Sequence, residues 1–119
     1  MIHAIYDLTG CDLGDVSGEQ IMTAMRQVAM RLGCTIRTQL VDQFQPHGTT
    51  CVLVLAESHI VVSTWPECGL AHIDVFTCRA AVNPREAVAP LLDVLGGQIT
   101  HTQTVPRLAP AQDVSLTVL

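Results

Sequence analysis

Three consecutive residues, Glu57-Ser58-His59, set a carboxylate, a hydroxyl and an imidazole between two apolar runs, Cys51 to Ala56 and Ile60-Val61-Val62. Short apolar runs bounded by turn residues read as buried strands. Polar groups at the seam of two such strands sit at a core edge, where burial is costly unless they are paired or used. A Trp65-Pro66-Glu67 corner follows, and a thiol, Cys78, closes the next strand-like run. A thiol has an unperturbed pKa of about 8.5 that its surroundings can tune, so it suits a proton donor. Taken alone, Cys78 reads as a buried structural cysteine.

The spacing of these groups closely resembles the self-cleaving centre of the prokaryotic S-adenosylmethionine decarboxylase proenzymes. Their order is Glu-Ser-His, a few strand residues, His-Thr-Trp-Pro-Glu, then Asp-Val-Phe-Thr-Cys. The chain has Glu57-Ser58-His59, Thr64-Trp65-Pro66-Glu67 and Asp74-Val75-Phe76-Thr77-Cys78 in the same order. The likeness reaches back to Asp7-Leu8-Thr9-Gly10-Cys11-Asp12 and Phe44-Gln45-Pro46-His47-Gly48, and covers the chain to about residue 104. At one place it departs: Ser63 stands where the family has histidine.

The resemblance implies pyruvoyl chemistry. Loss of CO2 from an α-amino acid leaves electrons that must be accepted, and most enzymes borrow an electron sink for this. A ketone on the protein serves instead, after condensing with the substrate amine. Ser58 is expected to become that ketone. Its hydroxyl attacks the Glu57 carbonyl, and elimination cuts the chain between 57 and 58. No external cofactor and no metal are expected. Cys78 matches the acid that protonates the product carbon, and Thr50 stands where a serine assists self-cleavage. Phe44 and Trp65 match aromatics that hold adenine, and Glu67 matches the acid on the ribose hydroxyls. Aromatic residues make up only 3% of the chain, four in all, and two of the four fall at these positions. The resemblance further implies a cytoplasmic homodimer with active sites near the subunit boundary, and a product used for spermidine synthesis.

Composition bounds the rest. A chain of 119 residues reads as one domain, 1–119, and 49% hydrophobic residues suffice for a core. Only 14% are charged, as when another subunit covers apolar surface. A formal charge of -5 with six scattered Lys and Arg argues against a nucleic-acid partner. No signal peptide and no membrane-spanning stretch is visible. Five cysteines without CxxC spacing read as free thiols, most of them small core residues.

The elements that must position these groups follow in order. Ile2 to Leu8 fits a strand. Ser17 to Gln20 matches a capping box, and Ile21, Ala24, Met25, Val28 and Leu32 then recur at helical spacing up to Gly33. Met22, Met25 and Met30 read as packing. Cys34 to Phe44 reads as a half-exposed strand; Cys51 to Ala56, His59 to Thr64 and Leu70 to Cys78 as further strands. Asn83-Pro84 opens a second helix, kinked at Pro90 and ended by Gly96-Gly97. Gln98 to Val105 suits an edge strand, and 106–119 a loosely packed tail. The expected fold class is α+β: a two-layer α/β sandwich, an antiparallel sheet with two helices on one face.

Two further readings stay open. One is a pyruvoyl-dependent arginine or ornithine decarboxylase on the same scaffold. The other is an unprocessed, catalytically silent partner subunit, which Ser63 keeps alive. A serine hydroxyl is a poor base where imidazole is a good one, so slow self-cleavage is expected unless another base substitutes. His72 is the nearest candidate, although alternation leaves open whether it shares a face with Ser63. His3, His47 and His101 read as surface or satisfied histidines, and His59 has no assigned role.

Overall fold

The computed structural model describes residues 1–78 and 82–110. Its elements run β1 (Ile2–Cys11), α1 (Gly18–Leu32), β2 (Thr35–Gln43), β3 (Thr49–Ala56), β4 (Ser58–Trp65), a 3₁₀ turn (Pro66–Cys68), β5 (Leu70–Thr77), α2 (Pro84–Ala87), α3 (Ala89–Leu95) and β6 (Gly96–Pro106).

The first helix begins where its capping box lies. Ser17 Oγ accepts from the Gln20 N–H at 3.1 Å, and Gln20 Oε1 accepts from the Ser17 N–H at 2.8 Å. These bonds satisfy two groups that a helix start leaves unpaired. At the other end Gly33 adopts φ 70° and its N–H bonds the Ala29 and Met30 carbonyls. Ile21, Met22, Met25, Val28, Ala29 and Leu32 form the buried stripe. Met30 is 76% exposed and is not packing, because five residues past Met25 it lies off that stripe.

The expected second helix is two helices. α2 ends at Ala87, Val88 takes φ -81° and ψ 1°, and α3 begins at Ala89 with Pro90 in its first turn. A proline there removes an N–H that has no intrahelical partner, so the chain restarts the helix instead of kinking it. Asn83 caps α2 by accepting from the Arg85 N–H at 3.0 Å.

All strand pairs are antiparallel, in the order β2-β3-β4-β5-β1-β6. β1 lies between β5 and β6, so the first and last strands of the chain are neighbours. Alternation gives the sheet two unlike faces. Ala4, Tyr6, Leu8, Leu53, Leu55, Ile60, Val62, Ala71, Ile73 and Val75 point to the helices and are buried. With the α1 stripe, Leu91 and Leu95 they form one core, each large aliphatic side chain contributing about 1.5–3 kcal/mol. The intervening residues project from the other face, which no helix covers among the described residues. The architecture is the expected α+β sandwich.

Several expectations need adjusting. β2 is exposed at every position rather than half-exposed. Only Cys11 and Cys51 are buried cysteines; Cys34 is half-buried, and Cys68 and Cys78 are exposed. Burial raises the Cys51 thiol to about 11, with Glu19 adding to the effect. β6 runs through Pro106, and the Arg107 N–H bonds the Met1 carbonyl at 2.8 Å, so the expected tail is tied down at its start. The rest of that tail, 111–119, lies outside the described residues. No described helix is long and apolar enough to cross a membrane.

Candidate active site

β3 and β4 form a hairpin whose last pair is Leu55 with Ser58, so Ala56 and Glu57 make the tip. The Glu57–Ser58 peptide bond therefore sits at an exposed turn. Glu57 is exposed, while the Ser58 side chain turns inward and is 5% exposed. Its hydroxyl lies 3.9 Å from the half-buried Cys34 thiol, a weak hydrogen-bond partner. β4 pairs β5 with His59 opposite Phe76. Extended two steps past that last pair, the register would bring Glu57 level with Cys78, which is exposed just past the end of β5. Glu57, Ser58 and Cys78 therefore gather at one end of the sheet.

Thr50 and Ser63 do not join them. They pair across β3 and β4 with their hydroxyl oxygens 3.3 Å apart. Ser63 is five residues from Ser58 along β4, about 16 Å at ~3.3 Å per residue. Odd and even positions also take opposite faces, so Ser63 projects from the open face and Ser58 towards the helices. Within one chain, the five candidate residues thus fall into two groups, Glu57, Ser58 and Cys78 at one end of the sheet and Thr50 and Ser63 towards the other.

The open face carries its polar groups in cross-strand rows. Near the hairpin tip, His59 lies 5.3 Å from Phe76 and His3 lies 6.1 Å from it, centroid to centroid. His3 Nε2 approaches Asp74 Oδ1 at 3.5 Å but, among the described residues, is a buried atom with no hydrogen-bond partner, where the sequence suggested a surface or satisfied histidine. Burial holds the His59 imidazole below its usual value, His3 adds to that, and Asp74 opposes it. Near the other end the register gives Thr50, Ser63, His72 and Asp7 on four adjacent strands, β3, β4, β5 and β1. His72 Nε2 is 3.8 Å from Asp7 Oδ1, and the Trp65 ring lies 4.6 Å from the His72 ring.

The other binding candidates share this second end. Phe44 bounds the β2–β3 turn, closed by its N–H on the Gly48 carbonyl at 2.8 Å. Gly48 has φ 100° and its Cα faces the Thr64 carbonyl and the Phe44 ring. A cleft of about 260 Å³ opens there, with Phe44, Pro46, Thr49 and Pro66 among its walls. Glu67 is exposed on the 3₁₀ turn beside it. Trp65 packs against His72, the rings tilted by 54°, rather than lining the cleft with Phe44. Sequence reading assigned no role to Asp7 or Cys34. Asp7 meets His72 only because β1 inserts beside β5, a long-range pairing that local patterns do not reveal.

Known proteins resemble this chain along nearly its whole length. The family model for S-adenosylmethionine decarboxylase matches residues 2–108. The S-adenosylmethionine decarboxylase proenzyme of Parasynechococcus marenigrum is 38% identical over 110 residues, covering 92% of this chain and 86% of its own. That of Acidithiobacillus ferrooxidans is 39% identical over 107 residues, covering 90% and 79%. The crystal structure of the adenosylmethionine decarboxylase from Aquifex aeolicus superposes with TM-score 0.79 at 31% identity, covering 93% of this chain and 92% of the other. A match along nearly the whole length, in both sequence and fold, places the chain in the S-adenosylmethionine decarboxylase family.

Proposed function

We propose that the chain is a proenzyme that cuts itself between Glu57 and Ser58 and then decarboxylates S-adenosylmethionine, yielding an aminopropyl donor for spermidine synthesis. The observation that carries this reading is the hairpin tip: an exposed turn peptide followed directly by a serine hydroxyl, with a thiol level across the next strand.

The residues fit formation of a pyruvoyl group. The Ser58 hydroxyl is buried beside one weak sulfur partner, and among the described residues no strong hydrogen bond holds it back from the neighbouring carbonyl. Ser58 Oγ attacks the Glu57 carbonyl carbon, the C–N bond breaks, and the freed nitrogen takes the hydroxyl proton. The amide becomes an ester. A base then removes the Cα proton of residue 58, the Cβ–Oγ bond breaks, and Glu57 leaves as a carboxylate. The dehydroalanine tautomerises, and water releases ammonia to leave a ketone at the new N-terminus. That ketone supplies the electron sink for decarboxylation. Cys78 stands level with this end and delivers a proton to the product carbon. The Phe44 cleft offers an aromatic wall for a flat ring, and Glu67 a carboxylate acceptor for a diol.

Separation of Ser58 and Cys78 from Thr50 and Ser63 supports a homodimer in which two copies complete each site. The open sheet face, with Ile5, Val52, Val54 and Val61 among its side chains, supports the same reading. Five free cysteines suit a reducing, cytoplasmic setting.

Intact mass of purified protein tests the reading. Wild type is expected as two chains divided between 57 and 58, and Ser58→Ala as one uncut chain that releases no CO2. A Ser58→Ala protein that still splits there would remove Ser58 from the chemistry. Carboxyl-labelled S-adenosylmethionine, arginine and ornithine, offered separately, decide the substrate by which one loses its label.

A further inference from the structure

The self-cleavage just described needs a base for the Cα proton of residue 58, and Ser63, a poor base by itself, stands opposite a histidine on the neighbouring strand. We propose that His72 supplies that base from the neighbouring strand, acting through Ser63; the inference rests on the decarboxylase reading.

Register settles what alternation alone left open. Ser63 and His72 are direct partners in the β4–β5 ladder, so their side chains rise from the same face with Cβ atoms about 4.5–5.5 Å apart. An imidazole at 72 is thus displaced by one strand from an imidazole at 63, not moved to another part of the molecule. Its surroundings suit the task. The Trp65 ring packs against one side at 4.6 Å, which limits the orientations of the imidazole. Asp7 stands 3.8 Å from Nε2, and a carboxylate there stabilises the imidazolium that forms when a proton arrives. On the opposite side, Thr50 Oγ1 and Ser63 Oγ lie 3.3 Å apart, a hydroxyl pair that holds Ser63 in place. Hydroxyl, imidazole and carboxylate stand in sequence across adjacent strands, as in a relay.

The step balances as follows. The Ser63 hydroxyl gives its proton to His72 as its oxygen takes the Cα proton of residue 58. The electrons of that C–H bond form the Cα=Cβ bond, the Cβ–Oγ bond breaks, and Glu57 leaves as a carboxylate that keeps Oγ. Ser63 ends unchanged, His72 holds the proton, and Asp7 balances its charge. Because Ser58 of the same chain is about 16 Å away along β4, the residue served is Ser58 of a second copy. His72 is a positioning and relay residue here, since it acts through Ser63.

A time course of chain splitting by intact mass tests the assignment. Wild type, His72→Ala, His72→Gln and the double variant Ser63→His/His72→Ala are each followed from synthesis, with circular dichroism to show that each folds. Loss of general-base help is worth about 10²–10⁴ in rate. His72→Ala and His72→Gln should therefore split at least ~10²-fold more slowly. The double variant should recover most of that loss, since it returns an imidazole to the same site one strand over. Added imidazole should speed His72→Ala and leave wild type unchanged. If His72→Ala splits as fast as wild type, the inference is overturned while the decarboxylase reading stands. It is equally overturned if both single variants are slow and neither the double variant nor imidazole restores them, because His72 then acts only through packing. A wild-type chain that never splits overturns the decarboxylase reading and takes this inference with it.

Discussion

Position 78 offers an exposed thiol just beyond the last paired residue of β5, at the end of the sheet where the Glu57–Ser58 peptide bond turns. Its geometry suits a donor that must reach a substrate rather than fill the core. Cys78→Ala should slow CO2 release and cause activity to decay during turnover, because a product carbon left without its acid takes the proton elsewhere and strands the amine on the enzyme. Mass analysis of the chain that begins at 58 would show that amine accumulating; steady turnover at the wild-type rate would leave Cys78 a structural residue. His59 makes a different prediction. Burial, then the charge of His3, favour its neutral form in the folded chain, against the pull of Asp74. A base with a lowered folded pKa binds fewer protons folded than unfolded, so stability rises with pH across that window. Melting temperature should therefore fall on acidification below about pH 6.5, and His59→Gln should flatten the fall. A slope unchanged in His59→Gln would assign the effect to other groups. Much at this scale could be read from the chain itself. Ser58 and Ser63 differ by an odd number along one strand, which already places them on opposite faces. The company of His72 could not be read, since Asp7 reaches it from the far end of the sequence.

Helix α1 illustrates how local signals carry an element. Its capping box, apolar stripe and terminal glycine all agree, and the structure follows them residue by residue. Ser17→Ala should cost about 1 kcal/mol, measurable by urea unfolding without loss of activity. The helix after residue 83 shows the limit of such reading. A proline inside an apolar periodic run suggests a kink, yet the same proline begins a new helix just as well, and only the conformation at Val88 distinguishes the two. Sheet order was less legible still. Each strand except β1 and β6 pairs with its neighbour in sequence, and nothing in the β1 residues states that they will part β5 from β6. Gly97, at the start of β6, shows how tightly that insertion fits. Its φ is 73°, and a Cβ there would run into the Thr9 carbonyl and Cys11. Gly97→Ala should destabilise the fold by more than the Ser17→Ala change, because backbone rather than a flexible side chain must yield. Equal midpoints for the two variants would contradict this.

For the whole molecule, a sheet face that no described helix covers and a divided set of candidate residues point the same way. Co-expression of two disabled chains tests whether sites are shared. A Ser58→Ala chain keeps its His72, and a His72→Ala chain keeps its Ser58. In a mixed dimer the first should serve the second, so the His72→Ala chain should split faster with its partner than alone. No change on mixing would mean that each chain acts on itself, against the separation seen along β4.

The position of β1 matters again for a chain cut between 57 and 58 as proposed. The first piece, 1–57, carries β1, α1, β2 and β3, and the second carries β4, β5, α2, α3 and β6. β3 remains zipped to β4, while β1 stays clamped on both edges, by β5 and by β6. The two pieces are therefore interleaved rather than laid side by side, and neither can depart without stripping three ladders at once. The proposed cut would convert a folding problem of one chain into one of two. Once denatured and diluted, the pieces must find each other again, so recovery of the mature protein should depend on concentration where recovery of an uncut Ser58→Ala chain does not.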